Sequence, residues 1–309
     1  MGGQHGVAHY RLELAGGQQA FAKVASGAEA SPAEGSPAGA SPAGASPGDG
    51  SPGEGGAGFG AEASGLRWLA EAAAVPVPDV LGWDDGALVI SWIAPEAADR
   101  RSALRFGREL AALHAAGSAG FGAPWPGVIA GLPLPNGPGG APTGAVHPGP
   151  VPGPGAPGGA SWAEWFAAAR LLPYVRLGRD RGALRAADVA VLEAAAGRAA
   201  AAAGPVEPPS RIHGDCWSGN VLWSGGRGWL IDPAAHGGHR ESDLALLDLF
   251  GAPHLSEIRA AYQETAPLAE GWAGRVPLHQ LHPLLVHVCL FGGAYTGSAL
   301  AAARAVLAL

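Results

Sequence analysis

The glycines and prolines of this 309-residue chain are unevenly placed, and their segregation limits what can fold. More than half of its 51 Gly and 28 Pro fall in two tracts, residues 25–60 and 117–160. Spread uniformly, such a content would signal low complexity. Concentrated in this way, it leaves the remaining positions with ordinary composition, as in a globular protein carrying two inserts. In the first insert, at about 27–58, Ser-Pro recurs every five residues at Ser31, Ser36, Ser41, Ser46 and Ser51. A tract with almost nothing apolar to bury cannot offset its ordering entropy, so it reads as a solvated linker with a span of roughly 30 Å. The second insert, at about 137–160, is Gly/Pro-rich without a strict period and reads the same way.

Around the inserts the hydrophobic period changes along the chain. Tyr10–Leu14 and Phe21–Val24 alternate about the turn Ala15–Gln18, which predicts a hairpin. Residues 59–74 carry Leu66, Leu69 and Ala73 at helical spacing. Leu81–Asp84 and Ala87–Ile93 predict a second hairpin turning at Asp85-Gly86. Beyond about residue 100 helices dominate, at 102–116, 161–172, 187–203, 241–249, 255–266, 278–291 and 298–307, with short strands at 211–213, 220–223 and 228–231. The pattern predicts an α+β protein of two lobes, a small β-rich one over 1–93 and a larger helical one over 94–309, joined near Trp92–Pro95. Ligands often sit between lobes so arranged. A net charge of −7 and a pI near 5.9 argue against a nucleic-acid or anionic-membrane partner, which needs a basic face. Two cysteines do not indicate an oxidising compartment. With no apolar run long enough to span a membrane and no signal-peptide pattern, a soluble cytoplasmic protein is the expectation.

The 19 basic residues comprise 18 arginines and a single lysine, Lys23. A lysine that persists against that bias points to a position where a compact ammonium is needed and a planar fork will not do. Lys23 ends a predicted strand, Phe21-Ala22-Lys23-Val24. A strand lysine that holds nucleotide phosphates and pairs with a helix glutamate fits the protein-kinase pattern, with Glu62 as the candidate partner. The plain alternative is one surface lysine left by chance.

The strongest local signal is His213-Gly214-Asp215-Cys216-Trp217-Ser218-Gly219-Asn220, followed by Ile231-Asp232-Pro233. The spacing Asp-x4-Asn matches the catalytic loop of kinases, here between two predicted short strands. In that chemistry a carboxylate accepts the proton of an attacking hydroxyl, the role read for Asp215. An amide oxygen and a second carboxylate hold Mg²⁺, a hard cation, and Asn220 and Asp232 supply them. The plain alternative is a turn and capping network, where Asp and Asn are common. Gly2, Gly3 and Gly6 precede the first strand and can offer backbone amides to phosphates, a weak signal in so glycine-rich a chain. His213, Cys216, His236 and His239 lack the paired spacings of zinc sites, and Cys216 reads as a small hydrophobe. Trp217, beside the presumed base, is either a platform for a sugar face or core.

At these residues the sequence resembles the fructosamine-3-kinase (ketosamine-3-kinase) family, itself similar to aminoglycoside phosphotransferases and, more distantly, to protein kinases. His213–Asn220 is similar to the family's HGDxWxGN, Asp232-Pro-Ala to its DPA, and Gly238–Ala245 to its GHRExDLA. Phe250-Gly251, Ala261-Tyr262, Pro277–Leu281, and His287 through Phe291-Gly292-Gly293 continue the match. So do Ala61–Leu66, Leu113-His114, Pro135-Asn136 and Ser161-Trp162.

The resemblance implies a protein-kinase-like fold and transfer of the ATP γ-phosphoryl group to the sugar 3-hydroxyl of a small or protein-bound ketosamine, a step of deglycation. It implies Asp215 as base, Asn220 and Asp232 as Mg²⁺ ligands, and Lys23 on the phosphates, paired with Glu62. The backbone of Ser91, Trp92 and Ile93 would meet adenine, Gly3 and Gly6 would belong to the phosphate-covering loop, and Trp217 with His287 would line the sugar pocket. The chain departs from the family by starting almost inside the glycine segment, which lacks the usual acidic or cysteine position. Two rival readings are a kinase of the same fold for another hydroxyl, such as an aminoglycoside or amino alcohol, and a catalytically silent ATP-binding scaffold.

Overall fold

The computed structural model describes residues 7–25, 55–136, 151–152 and 159–309. The Ser-Pro repeat, Gly2, Gly3 and Gly6 lie outside them. The front of the molecule is a four-stranded antiparallel sheet built from β1 (Val7–Glu13), β2 (Gln19–Ala25), β3 (Val80–Trp83) and β4 (Ala87–Ser91), in the order β1-β2-β4-β3. Both expected hairpins are present, with Leu12 opposite Ala20 and Trp83 opposite Leu88. Helix α1 (Gly55–Glu71) crosses one face of this sheet. Its Phe59, Ala63 and Leu66, spaced i, i+4 and i+7, pack on Leu88 and Ile90 of β4. Burying a leucine such as Leu66 contributes about 1.5–3 kcal/mol, so this small cluster seats the helix firmly.

The rear is helical. Helices α2 (Arg100–Ala115), α6 (Glu241–Leu249) and α7 (Leu255–Thr265) enclose one core with the hairpin β10 (Val221–Ser224) and β11 (Arg227–Leu230). A second core joins α3 (Trp162–Phe166), α4 (Leu172–Asp180), α5 (Ala186–Ala202), α8 (Trp272–Phe291) and α9 (Gly293–Leu307). Together these form a bilobal protein-kinase-like α+β fold. Among the described residues no helix is long and apolar enough to cross a membrane.

Several elements differ from the sequence expectation. The Gly/Pro-rich stretch after α2 contains short strands, β5 (Gly120–Phe121), β6 (Gly127–Ile129) and β7 (Leu132–Leu134). Phe121, Ile129, Leu132 and Leu134 are buried, and the surrounding Gly and Pro mask them. The second insert is not wholly a linker either, since β8 (Val151–Pro152) pairs with β5, Phe121 opposite Val151. Backbone pairing needs no apolar pattern, and Pro is tolerated at such a strand end.

The helix expected to stop near 172 runs on through a π-helical turn (Ala167–Leu171) to Asp180. Arg170 lies in that turn, fully buried, and donates to the Pro135 carbonyl, so a tertiary anchor sits where the helix register slips. Helix α8 begins at Trp272 and carries Pro277 and Pro283 inside it. The expected helix starts six residues later, at 278. Arg275 in the first turn bonds Glu241 and the carbonyls of Ala269 and Glu270, holding that turn against the lost backbone bond.

Candidate active site

Lys23 faces α1. It lies directly across from Leu88, as Phe21 does from Ile90, so it continues the row that α1 covers. Its ammonium donates to both oxygens of Glu62 on α1, at 2.8 and 2.9 Å. It also donates to Oδ1 of Asp232 in the rear lobe, at 2.6 Å. Burial opposes the ammonium's charge, but Asp232 and Glu62 hold its pKa above the ordinary value. Burial also pushes Glu62 up, to about 7, against the pull of Lys23. One cation therefore serves two carboxylates in a largely buried place. An arginine's longer planar fork presents its donors in a different geometry from this compact point charge.

The catalytic-loop segment hangs between strands. Strand β9 (Ser210–Ile212) pairs with β12 (His236–Gly238), Ile212 opposite His236. The loop follows β9 and closes through a 3₁₀ turn (Ser218–Asn220) into the β10–β11 hairpin, which returns the chain to Asp232. The Ile231 amide bonds the Asn220 carbonyl at 3.1 Å, tying the two ends. Asp232 has φ +53°, a left-handed conformation that costs a non-glycine residue energy and is found preferentially at functional sites. Gly214 has φ +80°, and a Cβ there would meet the Ala234 carbonyl oxygen at 2.2 Å, so only glycine fits.

His213 clamps this assembly. Its Nε2–H donates to the Ile231 carbonyl at 2.9 Å, and its Nδ1 accepts from the Asp215 amide at 3.3 Å. Burial lowers its pKa, consistent with a neutral ring using one nitrogen each way. Asn220 gives both amide hydrogens to Asp215, to the backbone oxygen and to Oδ2, each at 2.9 Å. Its amide oxygen is thereby left as the donor atom for a cation. The Asp232 side chain, 42% exposed, keeps oxygen surface open to the cleft. Amide and carboxylate oxygens suit a hard divalent ion. Burial raises Asp215 to about 7, opposed by the Asn220 hydrogen bond and reinforced by Asp232 and Asp243. A carboxylate so poised can exchange a proton near neutral pH.

Sequence reasoning gave no role to Asp243 or His114. Asp243 on α6 accepts from the amides of His213 and Gly214, at 2.8 and 3.0 Å. His114, near the end of α2, bonds Oδ2 of Asp243, the oxygen that also takes the His213 amide, at 3.1 Å, and Tyr262 at 2.8 Å. Burial disfavours the Asp243 charge, yet the His114 bond and the loop amides hold its pKa low. Two helices thus fix the backbone of the loop that carries Asp215. The signal was present in the GHRExDLA and Leu113-His114 matches, but neither spacing states whom the side chains meet.

The remaining expected positions divide. Trp217 is 37% exposed and folds over Gly219, where a Cβ would meet its ring at 2.2 Å. Phe250 links Trp217 to His287, with ring centroids 5.8 and 5.1 Å apart, so both sugar-pocket candidates share one aromatic surface. In the joining segment the Ser91 amide bonds the Asp79 carbonyl and the Trp92 amide bonds the Gln19 carbonyl. Of the three candidate adenine contacts, two N–H groups are therefore used within the sheet, and Ile93 is the one left to present a donor. Among the described residues His239, Glu241 and His279 bring donor atoms close enough to hold a metal ion. Arg275 already binds that carboxylate twice, at 2.6 and 3.0 Å, so the group is a buried ion pair more than a ligand set.

The sequence profile of the family described as fructosamine kinase matches residues 52–138 and 157–308, most of the chain. The chain belongs to the fructosamine kinase family. As a fructosamine kinase relative it is a phosphotransferase that uses an alcohol group as acceptor. A probable ketoamine kinase of Synechocystis is 33% identical over 242 residues, 76% of this chain and 74% of that protein. A Thermobifida fusca structure described as a fructosamine-3-kinase is 44% identical, with a TM-score of 0.81 over 100% of this chain and 92% of that one. An aminoglycoside phosphotransferase shares the fold at 16% identity, with a TM-score of 0.54 over 97% of this chain and 94% of that one. The fructosamine kinase profile does not reach Lys23, so the place of that residue in the site rests on its contacts with Glu62 and Asp232.

Proposed function

We propose that this chain transfers the γ-phosphoryl group of ATP to the sugar 3-hydroxyl of a ketosamine, a step that makes the adduct fall apart and so serves deglycation. The observation that carries the reading is the meeting of Lys23, from the front sheet, with Glu62 and with Asp232 of the rear lobe. The aminoglycoside phosphotransferase of the same fold was solved with AMP-PNP and hygromycin B, a nucleotide beside a hydroxylated acceptor.

In this reading Asp215 takes the proton of the 3-hydroxyl as its oxygen attacks the γ-phosphorus, and the bond to the β-phosphate oxygen breaks to release ADP. Lys23 holds the nucleotide phosphates, with Glu62 fixing its direction. Asn220 and Asp232 would hold Mg²⁺, which neutralises phosphate charge when bound. His213 and Asp243 keep the loop in register, and Ile93 offers the backbone contact to adenine. Trp217 and His287 face the sugar. Most of the rate gain in such a site comes from positioning and electrostatics.

The test is a phosphate-transfer assay with ATP and Mg²⁺ on fructosamine, ribulosamine and aminoglycoside acceptors, with the modified carbon located by ³¹P–¹H correlation. Phosphorylation of a ketosamine at carbon 3 is expected. Transfer to the aminoglycoside alone would overturn the reading.

A further inference from the structure

A cavity of about 20 Å³ lies among α3, the π-helical turn, β9, β12, α6 and α8, with Gly214 of the catalytic loop in its wall. Its polar side chains are Arg170, His236, His239, Ser242, His279 and His282, and the aromatic rings of α3 supply much of the rest. Among the described residues no Asp or Glu lines it. A space of this size takes one water or one monatomic ion, and it excludes phosphate, sulfate and any organic molecule.

Three lysine or arginine side chains are buried among the described residues: Lys23, Arg170 and Arg275. Lys23 meets Glu62 and Asp232, and Arg275 meets Glu241. Arg170, 1% exposed, meets no carboxylate among the described residues. Its fork donates to the carbonyls of Pro135 and Ala169 and to the side-chain oxygen of Asn136, all neutral, and lies over the Trp165 ring. A charge buried without a counter-charge is strongly disfavoured, and burial pushes this guanidinium down to about 9. Its Nε–H has no partner, and neither has Nε2 of His282. Burial and Arg170 hold the His236 and His282 rings neutral. His236 spends its Nδ1–H on the Ala234 carbonyl at 2.7 Å, and His279 Nδ1 pairs with the Ser242 hydroxyl at 2.9 Å. A neutral imidazole can carry its proton on Nε2, so His282 can donate from there. The cavity is thus bordered by two unmet donors and one unmatched positive charge. A water would take the hydrogens but leave the charge unmatched.

We propose that this cavity is a binding site for one monatomic anion of halide type, chloride in ordinary solution, held by Nε–H of Arg170 and Nε2–H of His282. The ion balances the guanidinium, satisfies both donors and ties the π-helical turn to α8 beside Gly214, the residue before Asp215. Single π turns inside helices are frequent at functional sites, and this one carries Arg170 to the cavity wall. The site stands whichever hydroxyl the enzyme phosphorylates.

The experiment takes the full chain, freed of halide by dialysis into sodium gluconate, and replaces gluconate by chloride at constant ionic strength. The Tm is expected to rise along a saturating curve, by about 4–6 °C at a hundredfold excess over the dissociation constant. His282→Phe keeps the bulk and removes one donor, so the chloride midpoint should move up about tenfold. Arg170→Met removes the charge, and its Tm should be the same in both salts. Crystals of the unmodified protein soaked in bromide should show an anomalous peak in the cavity within hydrogen-bond reach of Arg170 Nε, a reading that stands even if Arg170→Met fails to fold. Equal Tm of the intact protein in the two salts, a chloride midpoint unmoved in His282→Phe, or a cavity that holds water and no bromide overturns the site.

Discussion

Two groups of acids and bases are buried in this molecule, one in the cleft and one below it, and they are charged differently. Below the cleft, Glu241 is met by Arg275 at 2.6 Å, and Glu207 by Arg240 at 2.7 Å, with His239 and His279 alongside. Each carboxylate there has its own guanidinium. In the cleft, Glu62 and Asp232 share one ammonium, and Asp215 has no cation of its own among the described residues. The pKa directions follow the difference. Glu241 is held down to about 2, since His279 beside it and the Arg275 bonds overcome burial, whereas burial raises Glu62 and Asp215 to about 7. A balanced cluster is finished architecture. A cluster short of positive charge is suited to receive it, and in the function proposed above a divalent cation with a nucleotide supplies it.

The sharpest way to break the contrast is Asp215→Asn. Removing a general base lowers kcat by about 10²–10⁴-fold, and the expected loss here is near the middle of that range. The same change should raise stability at alkaline pH. Asp215 has a folded pKa above its unfolded value, so its contribution favours the native state at low pH and is lost as pH rises through about 7. Asn carries no charge at any pH. Its Tm should exceed that of the unmodified protein by a few degrees at pH 8, and the gap should narrow as pH falls below about 7 and close only below about 4, where Asp215 is protonated in the folded and unfolded chain alike. Near-normal turnover in the variant would remove Asp215 from the chemistry.

Next in size is Arg275→Met, aimed at the balanced cluster. Taking one partner from a buried ion pair costs about 3–5 kcal/mol, because Glu241 is left buried and uncompensated. Urea unfolding should show that loss, while KM for ATP in the surviving folded protein stays within about twofold. A fall in nucleotide affinity without a fall in stability would mean that the lower cluster belongs to the site.

How far each cluster was legible follows from its chemistry. The cleft cluster could be read because kinase chemistry fixes its spacing: Asp215 to Asn220 is set by one loop, and Lys23 stands out as the sole lysine. The long-range meeting of Lys23 with Asp232 was an inference from pattern, and the fold supplies the contact. The lower cluster was invisible. Glu207 lies between α5 and β9, Glu241 on α6, and Arg275 with His279 on α8, and only tertiary packing brings these segments together. The short strands β5–β8 were hidden for a related reason, since two- and three-residue strands carry too few alternations to register. The hairpins, α1 and the later helices were readable because their periods persist over several turns or pairs. Gly3 and Gly6 lie outside the described residues.

The finest test keeps the charge and changes only its shape. Lys23→Arg leaves the cleft with the same formal balance, one cation for three carboxylates. If total charge were all that mattered, the variant would behave normally. The geometry argues otherwise, because the ammonium reaches Glu62 and Asp232 within 2.9 Å from a strand position where 7% of the residue is exposed. A guanidinium adds length and a flat face there, so it must displace either α1 or Asp232. Turnover is expected to fall about 10- to 100-fold, a smaller loss than for Asp215→Asn because attraction for phosphate survives. The thermal stabilisation given by Mg-ATP should shrink with it, while Tm without nucleotide moves little. A Lys23→Arg protein with full activity and a full nucleotide shift would show that the solitary lysine is accidental, and that the cleft needs a positive charge but not a point of it.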